Sequence, residues 1–110
     1  MNKYSYAREK LYLAIRSLTI GQGDVRSRLS NAFLTFHTLK EEDLPNEFQK
    51  DWRWIIDELS KFGPLTDHKG EIWRGSVENT MRRVRNTTGQ KIATKIFNIG
   101  WQIHTNKKFL

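Results

Sequence analysis

The chain has 110 residues, a net charge of +7 and no cysteine. That length fits one domain, and folding should bury roughly 60–70 % of its surface, enough for a core without covalent staples. The absence of thiols excludes disulfides, thiolate metal sites and cysteine nucleophiles together.

No run approaches the roughly 20 apolar residues that cross a bilayer. Charges interrupt the opening MNKYSYAREKLYLAI, so it lacks the continuous apolar stretch of a signal peptide. A cytoplasmic protein without membrane contact is the expectation. The charge is unevenly placed: +4 over residues 1–38, −4 over 39–71 and +7 over 72–110. Such asymmetry points to an acidic partner or a polyanion.

Taken in order, the apolar residues recur at helical spacing. Tyr4, Ala7, Leu11, Ala14, Ile15 and Leu18 define a first helix over 4–20, stopped by the glycines of GQG at 21–23. Asp24 is placed to cap a second helix over 24–39, whose inward face is Val25, Leu29, Ala32, Phe33, Phe36 and Leu39. Residues 40–45 read as a single turn. Pro45 then opens a third helix over 45–62, burying Phe48, Trp52, Ile55, Ile56, Leu59 and Phe62 and ending at Gly63-Pro64.

Residues 65–71 read as a turn-rich loop, and no strand alternation is visible. A fourth helix over 75–86 has Trp73 leading in and Val77, Met81 and Val84 inward. Thr87 and Gln90 have capping-box spacing for a fifth helix over 88–104. Ile92, Ile96, Ile99 and Ile103 form its inner stripe, with Ala93, Phe97 and Trp101 widening it. Residues 106–110 should fray. The fold class is all-α: one domain of four to five helices with short connections, which favour antiparallel neighbours.

Three groups of residues stand out as candidate sites. Arg82, Arg83, Arg85, Lys91 and Lys95 form a basic corner suited to phosphates or an acidic protein surface. A wholly structural account also fits them, since Arg82 can pair with Glu78 and arginines suit a helix C-terminus. A helix-turn-helix is excluded here. The residue four positions after Ala93 is Phe97, not the glycine that motif needs, and Gly100 falls within the helical stripe.

Trp54 projects on the wheel opposite Trp52 and Ile55, among Lys50, Asp57, Glu58 and Lys61. It is therefore either an interface anchor or part of a second core; an exposed anchor would tolerate Trp54→Ala within about 0.5 kcal/mol. Tyr6, Leu13 and Ile20 make a second apolar line on the first helix. That helix is accordingly either central in the bundle or covered by another chain.

Catalytic signals are weak. His37, His68 and His104 are scattered without zinc-ligand spacing. GQGD lacks the length and the Lys-Ser/Thr ending of a phosphate loop. No serine has nucleophile-elbow context. No enzyme, cofactor or metal is expected.

The Arg-Glu-Lys-Leu-Tyr opening at 8–12, the glycine turn, Arg28-Leu29 and Asp43-Leu44-Pro45 together resemble a family of short uncharacterised bacterial helical proteins. The resemblance lies mainly in residues 7–48 and implies a small helical bacterial protein, often of the mobile-element kind, with no functional residues to carry over. The functional expectation is a non-enzymatic subunit, regulator or inhibitor acting on an unidentified protein partner or by self-association. Sequence-independent binding of nucleic acid or another polyanion is the alternative.

Overall fold

The computed structural model describes residues 3–110, and of Trp73 only the backbone. Five α-helices follow the apolar stripes: α1 (Ser5–Ile20), α2 (Val25–Phe36), α3 (Asn46–Ser60), α4 (Ser76–Arg83) and α5 (Asn86–Thr105). A 3-10 turn at Glu41–Asp43 joins α2 to α3, and a second at Lys107–Phe109 follows α5. The fold is an all-α bundle.

Local chemistry sets several boundaries. The Asp24 carboxylate accepts the Ser27 backbone N–H at 3.0 Å and so satisfies a free donor at the start of α2. That bond, with the Arg26 guanidinium beside it, holds the Asp24 carboxyl below its ordinary value. Its stabilising effect is therefore present above the ordinary carboxylate range and fades as pH falls through the lowered value. At the exit of α3, Gly63 takes a positive φ of 66° that a side chain would resist.

α5 is the organising helix. It packs on α1, α2 and α3, while α4 fills the space between α2 and α3. Its buried stripe is Ile92, Ile96, Ile99 and Ile103, which shares one core with Leu11, Leu29, Phe36, Trp52 and Leu59. Two glycines allow the close approach. A Cβ on Gly89 would lie 2.9 Å from Val25 Cγ1, and one on Gly100 would lie 2.4 Å from Ile15 Cδ1. α1 and α5 thus touch at a notch fitted to Ile15.

Several expectations need correction. Residues 65–66 and 72–74 form a short antiparallel hairpin rather than only a loop. The Asp67 carboxylate closes it by accepting the backbone N–H groups of Lys69 and Glu71 at 2.8 and 3.0 Å. No capping box forms at Thr87–Gln90. α5 begins at Asn86, with Arg85 at the cap position making no side-chain cap bond. Arg26 donates to the Val84 carbonyl at 3.0 Å, tying α2 to the link between α4 and α5.

The fraying expected at 106–110 does not occur either. Phe109 is buried, edge-on to the rings of Tyr4 and Phe48 at centroid distances of 5.9 and 5.5 Å. Arg8 donates to the Phe109 carbonyl at 2.8 Å. Phe62 leaves the core as well. Its backbone N–H is held by Thr80 Oγ1 at 3.1 Å, and its ring turns outward under the Arg83 guanidinium, 4.2 Å from the centroid. The expected role of Trp73 lies outside the described side chains.

Candidate protein-interaction face

α1 faces inward through Ala7, Leu11 and Ala14. At 100° per residue, the opposite side of the helix carries Tyr6, Glu9, Leu13, Arg16 and Ile20, with Tyr12 next to them on the α5 side. α1 has neighbours on its flanks, α2 and α5, and the Tyr6/Leu13/Ile20 line runs along the side opposite the buried face, with Tyr6 and Leu13 leaning toward the α2 flank. Tyr6 stays exposed while its hydroxyl bonds Thr38 and Lys10 sits over its ring. Leu13 is half-buried and Ile20 open to solvent.

α5 extends the same face. Phe97 and Trp101 stack on each other at 5.9 Å with an interplanar angle of 23°, outside the core. They do not widen the buried stripe as the sequence spacing implied. The notch at Gly100 brings α1 so close that these larger side chains have no space inside. Tyr6, Tyr12, Ile20, Phe97 and Trp101 retain between 42 % and 62 % of their surface. A cleft of about 240 Å³ between the helices, lined by Ile15, Leu18, Thr19, Ala93, Thr94 and Phe97, lies beside them.

Tyr12 leans toward His104, 6.4 Å between ring centres. His104 Nδ1 lies 2.8 Å from the Gly100 carbonyl, which can only accept, so that nitrogen carries the proton. From Ile96 to Asn106 no residue is Asp, Glu, Lys or Arg. Aromatic enrichment with charge depletion is the composition of an interface centre rather than of ordinary solvated surface.

Of the two readings of Trp54, its packing favours the second core over a free-standing anchor. The residue is half-buried and packed against the core, with Lys95 Nζ 5.3 Å from its ring centroid. Lys95 is itself paired with Asp51 at 3.1 Å. The wheel places Trp54 away from Trp52 but cannot show that α5 overhangs that side. Lys50 lies exposed nearby, and Glu58 pairs with Lys61 at 3.5 Å. Because the indole is half-covered, Trp54→Ala should cost about 1–2 kcal/mol in a denaturant titration, above the near-zero loss of a free-standing surface residue. A midpoint unchanged from wild type would return Trp54 to the surface.

Three of the five cations of the basic corner have partners within the chain. Arg82 pairs with Glu78 at 3.3 Å, Arg83 covers Phe62, and Lys95 serves Asp51 and Trp54. Among the described residues only Arg85 and Lys91 of the five are exposed without such a contact. A wider groove of about 950 Å³ runs between α2 and α4, bordered by Ser27, Ser30, Asn31, Leu34, Ser76 and Met81. The charges at its rim, Asp24 with Arg26 and Glu78 with Arg82, neutralise one another within 3.3 Å.

Among the described residues no three His, Asp or Glu side chains gather to hold a metal ion. No helix there is long and apolar enough to cross a membrane. No protein-family model, curated protein or solved structure matches the chain.

Proposed function

We propose that this is a non-enzymatic protein that works by binding protein through the outer face of α1 and α5. One observation carries the reading: Tyr12, Phe97 and Trp101 stand exposed together beside a stretch of α5 without a charged residue. The energetics favour this use. Withdrawing three half-exposed aromatic rings from water is strongly favourable, at roughly 25 cal/mol per Å² of apolar surface. The uncharged stretch of α5 means that no ion of that segment is stripped of its hydration where the rings make contact. Aromatic anchors inside a polar rim are the usual source of most of an interface's affinity.

The test is affinity capture by the wild-type chain and by a Phe97→Ser/Trp101→Ser variant, each with and without nuclease. The variant should stay folded, losing no more than about 1–2 kcal/mol for two half-exposed rings that stack on each other, and should lose the captured protein. Identical capture by both chains would remove the face from the function. Capture that disappears only on nuclease treatment would favour the polyanion reading, for which Arg85 and Lys91 are the exposed, unengaged cations.

A further inference from the structure

We infer that the occupant of this face is a second copy of the same chain, with the two α1 helices antiparallel about a two-fold axis between Tyr12 and Leu13. The inference rests on the protein-binding reading above and adds the partner. Its basis is the charge pattern on α1.

Glu9 is the only acidic residue of that helix, and Arg16 follows seven positions later. Seven residues make nearly two turns, so the two side chains share a stripe, about 20° apart around the helix and about 10.5 Å apart along it. Both are exposed, and neither takes part in an ion pair among the described residues. At that separation they do not pair with each other. An antiparallel copy centred between Tyr12 and Leu13 sets Glu9 of each chain opposite Arg16 of the other. A two-fold contact makes both bridges at once, because its two halves are the same surface. The centre of that arrangement is apolar: Tyr12 lies on the α5 flank of each α1 and Leu13 on the other, so each meets its own counterpart across the axis.

The rest of the surface favours the same occupant. A chain with net charge +7 repels its own copy over most approaches. The uncharged stretch of α5 lets Phe97 and Trp101 meet a copy without that repulsion. A strongly acidic partner would find little to pair with here, since Arg16 is the single cation on the stripe and Glu9 opposes it. The dimensions also suit. Two helices of 16 and 20 residues, side by side with axes 8–10 Å apart, present a plate of roughly 30 by 20 Å. That is the scale of the roughly 800 Å² per partner found in stable pairs.

The experiment is sedimentation of the wild-type chain, of Glu9→Arg, of Arg16→Glu, and of the two variants mixed in equal amounts. The wild type should sediment as a dimer. Each single variant sets like charges opposite one another at both bridges and should weaken the dimer by about tenfold or more. The mixture restores opposite charges at both bridges and should recover the dimer. Far-ultraviolet circular dichroism should be the same for all three chains, since both positions are exposed. Phe97→Ser/Trp101→Ser should also drive the chain toward monomer.

A wild type that stays monomeric at its highest soluble concentration overturns the inference. So does a dimer that none of these substitutions weakens, or a mixture that fails to recover it. A monomeric wild type that still captures a different protein through Phe97 and Trp101 would remove the second copy and leave the protein-binding function standing.

Discussion

Trp52→Ala should destabilise the protein by about 3–5 kcal/mol, the largest loss expected from any single truncation described above. Trp52 is almost wholly buried and meets Phe36 edge-on, 5.2 Å between ring centres. Ile55 and Leu59, also buried, continue the same side of α3. Removing the indole forfeits its transfer from water and leaves a void that rigid helices on either side do not fill. Domains of this size are stable by only about 5–15 kcal/mol, so the variant should lie near the edge of folding. Equilibrium urea unfolding followed by circular dichroism measures the change. A loss under 1 kcal/mol would mean that α3 does not pack through this residue.

Phe109→Ala is the second large effect, and it separates a docked tail from a loose one. A frayed end would lose nothing. The ring instead lies between Tyr4 and Phe48, joining the segment after α5 to the starts of α1 and α3. A buried phenylalanine costs about 3–5 kcal/mol on truncation, and the lower end applies here because the site lies near the surface. The same urea titration reads it, with hydrogen exchange near Tyr4 as a local probe. Protection at Tyr4 should fall together with global stability. An unchanged midpoint would show the tail to be detached in solution.

These two residues also show how much the sequence disclosed. Trp52 was legible because its partners Ile55, Ile56 and Leu59 recur at helical spacing around it. Asp24 and Gly63 were legible for a local reason: a cap and a left-handed turn depend on residues within four positions. Phe109 was not, since its partners are Tyr4 and Phe48, far away in sequence, and no short window contains them.

The candidate face was half legible. Tyr6, Leu13 and Ile20 could be read as a second line on α1, and the structure turns that line away from the bundle's interior. Phe97 and Trp101 looked like core because periodicity gives the direction of an apolar sector but not its width. The width is set by the neighbouring helix, and Ile15 against Gly100 narrows it. Trp54 shows the complementary limit: its wheel position leaves an interface anchor and a second core equally open, because a wheel drawn on one helix omits the overhang of another. Phe62 was misplaced for a different reason, since its backbone is tied to Thr80 and its ring follows the arginine above it.

The fit of Ile15 into the Gly100 notch has a consequence beyond packing. It indexes one helix against the other like a key in a slot, so neither can slide or roll independently. Tyr12 and Arg16 on one side, and Phe97 and Trp101 on the other, therefore keep fixed spacings before anything arrives to meet them. Little freedom is left to surrender on association, which favours tight binding from a modest surface. A bulky side chain at Gly100 would throw this alignment out while leaving every outward residue chemically intact.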